Sequence, residues 1–312
     1  MSATHEIVVP CSTSNLGPGF DSLGLALSRW LRVTLRFGNS EAGQRLVRLG
    51  EGQGFAPPPD EDLFLRAFRA RCEALGADPS RAFEATLVSD IPLARGLGSS
   101  GACIVAATMS ADAALGRPHD PDSVFQAAAA FEGHPDNVAP SVYGGLTCAV
   151  SLGAAWHALA LGRPTAFSVV VAIPPTRAAT EAMRAVLPDA VPHTVARSAL
   201  ARAVFLSHAL LRGELGGRSG LFDDALHQPY RSAHLPGFAS AVVAARKAGA
   251  LGVFLSGSGS TVCALVRADA DPRHPRRVGA ALERAYLAHG LSVEIATLSV
   301  VEGATRRAVE AS

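Results

Sequence analysis

Residues 91–102, IPLARGLGSSGA, form a loop of glycine and serine that leads directly into an alanine-rich apolar segment. Such a loop presents unpaired backbone N–H groups and the positive end of a helix dipole, so anions bind there, phosphate above all. Gly96 and Gly98 allow the backbone to approach a ligand closely, and Ser99 and Ser100 add hydroxyl groups that could reach a phosphate or Mg²⁺. An ordinary loop with a serine N-cap has the same composition, so this loop alone leaves both interpretations open.

Two common lysine-based arrangements for binding phosphate are missing from this sequence. It contains no GxxxxGK[ST] string, and its single lysine, Lys247, falls in a predicted helix far downstream of the glycine loop. Protein kinases also require a lysine on a strand to pair with the nucleotide phosphates. A nucleotide site in this chain would therefore depend on backbone amides, arginine side chains and a metal ion.

Two further segments combine turn residues with small or polar side chains. Residues 11–24, CSTSNLGPGFDSLG, contain Asn15 and Asp21 near a glycine-built bend, a pattern that is also typical of an Asx-capped turn. Residues 255–262, LSGSGSTV, are a run of small residues between two apolar segments. This run indicates either a plain hairpin turn or a loop whose backbone packs against the phosphate loop or a substrate.

Residues 132–140, EGHPDNVAP, place a carboxylate at the end of a predicted helix and follow it closely with other polar side chains. Glu132 is a candidate ligand for Mg²⁺, because hard cations prefer carboxylate oxygen. His134, Asp136 and Asn137 complete the cluster. The alternative interpretation is a solvated helix end followed by a turn.

The composition is that of a globular enzyme. The chain has 312 residues, enough for two domains, of which 48% are hydrophobic and 18% charged, and its formal net charge is +1. This charge gives no electrostatic reason to expect nucleic acid or a membrane as partner. The 5 cysteines are widely spaced without a CxxC pair, which argues against zinc and disulfides. With no signal-peptide pattern and no apolar run of roughly 20 residues, we expect a soluble cytoplasmic protein.

Apolar periodicity predicts the elements that would position these segments. In the first half we expect strands at 6–10, 30–37, 83–88 and 144–150, helices at 60–75, 103–115 and 122–131, and a Gly- and Pro-rich surface excursion at 39–60. After a boundary at Gly162-Arg163-Pro164 we expect strand 167–173, helices 194–211 and 238–248, strands 252–255 and 261–266, helix 275–289 and strand 291–298. With one helix set aside, the second half has the β-α-β-β-α-β order of a split βαβ fold.

Occurring together and in this order, the four segments resemble the GHMP kinases, the superfamily named for galactokinase, homoserine kinase, mevalonate kinase and phosphomevalonate kinase. The resemblance covers nearly the whole chain, and SNLGPGFDSLG (14–24) and EGHPDNVAP (132–140) are most similar to the homoserine kinases. It implies an α/β (α+β) fold with an N-terminal ATP-binding domain at 1–162, a ferredoxin-like C-terminal domain at 163–312, and the active site between them. The implied reaction transfers the γ-phosphoryl group of ATP to the side-chain hydroxyl of L-homoserine, on the route to threonine.

The resemblance also implies a role for each matching residue. The ATP phosphates would lie on Pro92, Arg95, Gly96, Leu97, Gly98, Ser99, Ser100, Gly101 and Ala102. Mg²⁺ would be held by Glu132 and a serine hydroxyl, Ser99 or Ser100. L-homoserine would be bound by Asn15, Asp21, His134, Asn137, Thr180, Arg184 and Arg231. Of these, Asp21 would hold the ammonium, and the two arginines would hold the carboxylate.

Phosphoryl transfer requires alignment and neutralised charge more than a strong base. We therefore expect Asn137 to hydrogen-bond the reacting hydroxyl, with Asp136 as a conventional base the rival hypothesis. Two positions depart from the family pattern. Only Gly133 separates the metal-binding glutamate from the histidine, where some homoserine kinases have several more residues. Ser260 stands where proline is usual, and we expect it to loosen that turn.

Two other functions stay open at this point. A mevalonate-type kinase of the same superfamily would use the two arginines for its carboxylate substrate, but would have little use for Asp21. A catalytically silent member that binds a metabolite would be expected to lack Glu132, the serine pair or Asn137, and all of these are present. The family also suggests a homodimer, for which the sequence offers no interface.

Overall fold

The strands of the computed structural model, which describes residues 4–37, 43–153, 155–269 and 271–309, form two sheets. The strands are β1 (Thr4–Ser14), β2 (Leu23–Phe37), β3 (Gln44–Gly50), β4 (Phe83–Ser89), β5 (Leu146–Leu152), β6 (Ala155–Gly162), β7 (Phe167–Ile173), β8 (Gly252–Leu255), β9 (Val262–Arg267), β10 (Glu294–Ser299) and β11 (Thr305–Val309). The helices are α1 (Leu63–Ala74), α2 (Ser99–Ala114), α3 (Pro121–Glu132), α4 (Val138–Tyr143), α5 (Thr180–Ala185), α6 (His193–Arg212), α7 (Gln228–Ser232), α8 (Phe238–Lys247) and α9 (Arg273–Leu287), with a 3-10 turn at Ser219–Phe222.

The first sheet is built around β2, whose alternation of apolar and polar residues is the clearest strand pattern in the sequence. Leu31, Val33 and Leu35 are buried, whereas the residues between them are exposed. The sheet has the order β11-β1-β2-β4-β3, and β5 pairs with β2 and with β6. Helix α2 packs on β1 and β2, and α1 and α3 pack beside α2, which buries one face of the sheet.

The second sheet has the order β10-β7-β9-β8, and all its pairs are antiparallel. Helices α8 and α9 pack on it. Numbered along this part of the chain, its strands lie in the order 4-1-3-2, the ferredoxin-like arrangement of the split βαβ order. The mixed α/β architecture expected from the sequence is therefore confirmed. Strands β7 and β8 have the bounds that the sequence predicted.

The position of the domain boundary stays a prediction. Strand β6 of the first sheet ends at Gly162, and β7 of the second sheet begins at Phe167. Strand β11, however, returns to the first sheet, where it pairs antiparallel with β1. Within the described residues, no helix combines the length and apolar character needed to cross a bilayer.

Several elements differ from the sequence prediction, and each has a local reason. Helix α2 begins at Ser99 rather than at residue 103, because the helix can start directly after glycine. Segment 39–60 contains β3, a half-exposed edge strand, while its residues 39–42 lie outside the described part of the chain. Helix α4 contains Pro140 in its first turn, where the missing N–H of proline costs no hydrogen bond.

Short or edge elements were also missed by the prediction. They are β6, β11, α5, α7 and the 3-10 turn, none of which carries a sustained apolar period.

A buried ion pair connects the three helices that cover the first sheet. Arg71 on α1 donates from Nε to Asp112 Oδ1 (2.9 Å) and from Nη2 to Asp112 Oδ2 (3.1 Å) on α2. Its Nη2 also donates to Ser123 Oγ on α3, at 2.7 Å. Both charged side chains are buried, so the two charges compensate each other away from water.

We expect Asp112→Leu to lower the free energy of unfolding by about 3–5 kcal/mol, because it leaves the Arg71 guanidinium buried without a counter-ion. The double variant R71M/D112L removes both charges and should be considerably more stable than the single variant. Urea denaturation of the wild type and the two variants measures both differences. A double variant as unstable as the single one would contradict this account of the pair.

Candidate active site

A cavity of about 330 Å³ lies between the two sheets, and residues from both halves of the chain line it. Every polar segment identified in the sequence contributes to its wall: the glycine loop, the turn after β1, the segment after α3 and the small-residue loop after β8. All seven residues predicted to bind the substrate line this cavity: Asn15, Asp21, His134, Asn137, Thr180, Arg184 and Arg231.

The glycine loop ends at the N-terminus of α2, and its geometry requires glycine. Gly98 is the N-cap with a φ of 68°, and a Cβ there would lie 2.0 Å from Ser12 Oγ on β1. No side chain among the described residues caps this helix end. The first backbone N–H groups of α2, which include those of Ser99 and Ser100, are therefore available to an anion.

Only part of the predicted phosphate loop reaches the cavity. Gly96, Gly98, Ser99 and Ser100 line it, whereas Pro92, Arg95, Leu97, Gly101 and Ala102 do not. The side chains of Leu97 and Ala102 are buried in the hydrophobic core, and Gly101 faces the Asn137 backbone. Leu97, Gly101 and Ala102 thus hold the loop in position through contacts on the side away from the cavity.

Glu132 and Ser100 are in contact at the N-terminus of α2. Ser100 Oγ donates a hydrogen bond to Glu132 Oε1 at 2.6 Å. Gly133, with a φ of 83°, ends α3 directly after the glutamate and turns the chain toward the cavity. Among the described residues, no group of three or more His, Cys, Asp or Glu side chains is arranged to hold a metal ion.

The Asn137 side chain is held by two serines of β1. Ser12 Oγ donates to Asn137 Oδ1 (3.1 Å), and Asn137 Nδ2 donates to Ser14 Oγ (3.0 Å). The sequence analysis did not identify these serines as site residues. Their spacing of two positions on a strand, which puts both side chains on one face, is the signal that could have found them.

Asp136 is nearly buried beside this amide. Its Oδ1 lies 3.5 Å from His134 Nδ1 and 3.5 Å from Asn137 Nδ2. The Asp136 carboxylate raises the pKa of His134 above its usual range, and burial opposes this effect. A histidine in this environment carries positive charge over a wider pH range than an isolated one.

Two residues predicted to bind opposite charges of the substrate pair with each other. Arg184 donates to Asp21 through both Nη atoms, each at 2.9 Å, and this bidentate contact raises the pKa of Arg184. Asn15 fixes the turn that carries the aspartate: its Oδ1 accepts from the Asp21 N–H (2.9 Å), and its Nδ2 donates to the Gly257 carbonyl (3.0 Å). Both members of the ion pair are partly exposed to the cavity.

Arg231 is the second guanidinium at this end, and it is almost fully buried. Burial lowers its pKa to about 10, with the Arg184 guanidinium acting in the same direction, so it stays cationic near neutral pH. The ring of Phe20 lies 5.4 Å from the Arg231 guanidinium carbon and 5.9 Å from that of Arg184. The sequence analysis missed Phe20, although it directly precedes Asp21.

The small-residue loop after β8 packs against the glycine loop. Ser256 Oγ contacts the Gly96 carbonyl (2.6 Å) and Thr13 Oγ1 (2.7 Å), and the Thr261 N–H donates to the Arg95 carbonyl (3.1 Å). The structure thus supports the interpretation in which the backbone of this loop packs on the phosphate loop. Ser260, which was expected to loosen the turn, instead anchors it by donating to the Thr176 carbonyl.

The other end of the cavity is apolar, and the sequence analysis identified none of it. Its lining comes from separate elements, namely Leu31, Phe55, Leu63, Leu87, Ile91, Leu93 and Cys103. These residues share only their apolar character and have no fixed spacing, so no sequence pattern marks them. Arg48, Glu51 and Ser89 also line the cavity, so its apolar part has polar groups at its border. The N-terminus of α2 faces the same cavity.

We expect Gly96→Ala to separate the two loops, because a Cβ at this φ of +80° would lie 2.2 Å from the Ser256 carbonyl oxygen. The variant should lose several kcal/mol of unfolding free energy and weaken anion binding at the N-terminus of α2. The matched control is Gly116→Ala, which has a φ of +64° and open space around it. That control should lose only about 1–2 kcal/mol from the left-handed conformation. Equal losses in both variants would contradict a steric role for Gly96.

Two family models match parts of this chain. Residues 62–145 match the GHMP kinases N terminal domain, and residues 197–289 match the GHMP kinases C terminal region. The homoserine kinase of Moorella thermoacetica is 38% identical over 291 residues, which cover 93% of this chain and 95% of that protein. A homoserine kinase of Thermus thermophilus is 41% identical over 267 residues, 84% of this chain and 87% of that protein.

Solved structures give the same picture. The crystal structure of homoserine kinase from Cytophaga hutchinsonii is similar with a TM-score of 0.86 at 25% identity, covering 98% of this chain and 97% of that one. Mevalonate kinase from L. major in complex with R-mevalonate has a TM-score of 0.72 at 16% identity, covering 95% of each chain, and shows a shared fold alone.

Proposed function

The chain belongs to the GHMP kinases, and from this premise we propose that it transfers the γ-phosphoryl group of ATP to the side-chain hydroxyl of L-homoserine. The products are O-phospho-L-homoserine and ADP. Relatives that are 34% to 41% identical and cover most of the chain are homoserine kinases. The observation that carries the proposal is the set of charges at the polar end of the cavity, where the Asp21 carboxylate pairs with Arg184 and a second guanidinium, that of Arg231, lies nearby. The Asp136 carboxylate also lines this end.

These charges suit the two ends of an α-amino acid. Asp21 and Arg184 satisfy each other in the absence of a ligand. A zwitterionic amino acid offers an ammonium to Asp21 and a carboxylate to the two arginines, so it replaces one ion pair with two. Mevalonate would also bind the arginines but would leave Asp21 without a partner, which favours the amino acid over the mevalonate-type alternative.

ATP fits the remaining part of the cavity. Its phosphates would lie at the N-terminus of α2, where backbone N–H groups and the helix dipole favour negative charge without a lysine. The adenine would occupy the apolar end, against residues such as Phe55 and Ile91. In this orientation the γ-phosphate would face Asn137 and the substrate.

Ser100 and Glu132 fit a magnesium ion that is shared with the ATP phosphates. A carboxylate and a hydroxyl in contact at 2.6 Å are oxygen donors of the kind this ion prefers, and Mg²⁺ typically takes few ligands from the protein and the others from phosphate and water. Ser100, rather than Ser99, is the serine whose hydroxyl contacts the carboxylate. When bound, the ion would neutralise charge on the transferred phosphoryl group.

In the proposed reaction the L-homoserine hydroxyl oxygen forms a bond to the γ-phosphorus while the bond from that phosphorus to the β–γ bridging oxygen breaks. Asn137 would hydrogen-bond the attacking hydroxyl, since Ser12 and Ser14 fix the orientation of its amide. Because the new bond to phosphorus forms late in a loose transition state, the hydroxyl becomes acidic only late, and its proton can pass to an oxygen of the transferred phosphoryl group or to water without a strong base. Asp136 as a general base is the rival within the same function.

The first experiment is Mg²⁺- and ATP-dependent release of ADP by the purified protein with L-homoserine, D-homoserine, L-serine, L-threonine and mevalonate. We expect turnover with L-homoserine well above the others. Preferred turnover of mevalonate would overturn the assignment of the polar end. A folded protein that binds ATP and turns over none of them would favour the silent, metabolite-binding alternative.

The two catalytic hypotheses predict different variants to be impaired. If positioning dominates, Asn137→Ala should lower kcat about 10²-fold, the typical loss when one hydrogen bond to the reacting group is removed. Asp136→Asn should then retain most of the activity. Steady-state kinetics with both substrates near saturation, with circular dichroism to verify folding, gives the comparison. A profound loss in Asp136→Asn alone would show that the carboxylate is the base.

A further inference from the structure

His227 is fully buried behind the polar end of the cavity, directly before α7. Its ring is stacked on Phe20, with 5.2 Å between centroids and an interplanar angle of 23°. Its Nε2 lies 3.0 Å from the Gly17 carbonyl oxygen, and its Nδ1 lies 3.2 Å from Arg231 Nη1. The histidine therefore connects the turn after β1 to the buried arginine. Sequence reasoning gave it no role.

The partners of the ring define its protonation state. A carbonyl oxygen can only accept a hydrogen bond, so Nε2 must carry the proton toward Gly17. A guanidinium can only donate, so Nδ1 must be the bare acceptor for Arg231. Both contacts exist together only in the neutral ring with its hydrogen on Nε2.

The Arg231 guanidinium donates hydrogen bonds to three acceptors. Nε donates to the Met183 carbonyl (3.1 Å), and Nη1 donates to the Gly257 carbonyl (3.0 Å) and to His227 Nδ1. Among the described residues, the hydrogen bonds of this guanidinium come from Nε and Nη1 and none from Nη2, and Arg231 lines the cavity. This arrangement leaves Nη2 to donate to a ligand.

We propose that His227 is a positioning residue for the substrate carboxylate: its neutral Nε2–H form accepts from Arg231 and thereby aims the guanidinium into the cavity. This inference rests on the proposed function, because it assumes a substrate with a carboxylate at this end. Phe20, which stacks on the ring, keeps the imidazole in the plane that this contact requires.

The charges around the ring make this role dependent on pH. Burial lowers the pKa of His227, the Asp224 carboxylate at 3.5 Å from Nε2 raises it, and the Arg231 guanidinium lowers it. Asp21 on the neighbouring turn also favours the charged form. Protonation of Nδ1 would remove the acceptor and set a second cation against Arg231. The affinity for the amino acid should therefore fall as the pH drops through this lowered pKa.

The test compares His227→Leu, which removes the acceptor, with His227→Asn, whose amide oxygen can take the place of Nδ1. Both variants lose the contact with the Gly17 carbonyl, so a difference between them cannot come from that contact. We expect His227→Leu to raise KM for L-homoserine about tenfold or more, the typical effect of misplacing one charge-assisted hydrogen bond, with KM for ATP unchanged. His227→Asn should restore much of the affinity.

The pH profile of kcat/KM for L-homoserine separates positioning from mere structural support. The acid limb due to His227 should disappear in His227→Asn, whereas any limb due to His134 should persist. His119→Asn is the control, because this histidine also has a pKa lowered by burial but lies outside the cavity. It should leave the profile unchanged. An equal rise of both KM values in His227→Leu, or an acid limb that persists unchanged in His227→Asn, would overturn the proposal.

Ring ¹⁵N NMR of the wild-type enzyme tests the same inference without relying on folded variants. We expect the His227 signals of a neutral Nε2–H ring at pH 7, and a hydrogen on Nδ1 or a charged ring would overturn the proposal. The 3-aminopropan-1-ol molecule is L-homoserine without its carboxylate. Its kcat/KM should be almost equal for the wild type and His227→Leu. Lack of turnover of L-homoserine by the wild type would instead contradict the proposed function, and the ring signals would still test the geometry.

Discussion

The contact between the glycine loop and the small-residue loop is the constraint on which the rest of the site depends. The carbonyl of Gly96 accepts a hydrogen bond from the Ser256 hydroxyl, and the backbone N–H of Thr261 donates to the carbonyl of Arg95. These contacts leave no room for a Cβ at residue 96. Because one loop follows a strand of the first sheet and the other connects two strands of the second, this contact fixes how the two sheets meet at the cavity.

Charge in the cavity follows the same division. The first half of the chain supplies a helix N-terminus, hydroxyl groups and four carboxylates, those of Asp21, Glu51, Glu132 and Asp136. The second half supplies two guanidinium groups that both lie close to the Phe20 ring, and that of Arg184 pairs with the Asp21 carboxylate on the turn after β1. Phosphoryl transfer by alignment therefore requires that the two sheets stay in one relative position, which side chains such as Asn15 help to enforce.

Much of this could be predicted from the sequence, and the exceptions have physical causes. Gly98, Asn137 and Asp21, which line the cavity, could be identified from the sequence because each lies in a short local motif. Ser12, Phe20 and His227 were missed because they act through other side chains, and their partners are distant in sequence. Long amphipathic elements such as β2 were predicted, whereas β3 and β11 were not, because edge strands need no continuous apolar face.

The pairing of β1 with β11 has a consequence for how the chain acquires its structure. Glu6 and Arg307 lie 301 positions apart, yet they are in contact across this pair. During synthesis, the backbone N–H and C=O groups on one edge of β1 stay unpaired until nearly all the residues that follow have left the ribosome. The first sheet is therefore completed after the second. A ribosome-bound chain that ends before β11 has an unprotected edge and is the stage at which aggregation and chaperone binding are most favoured.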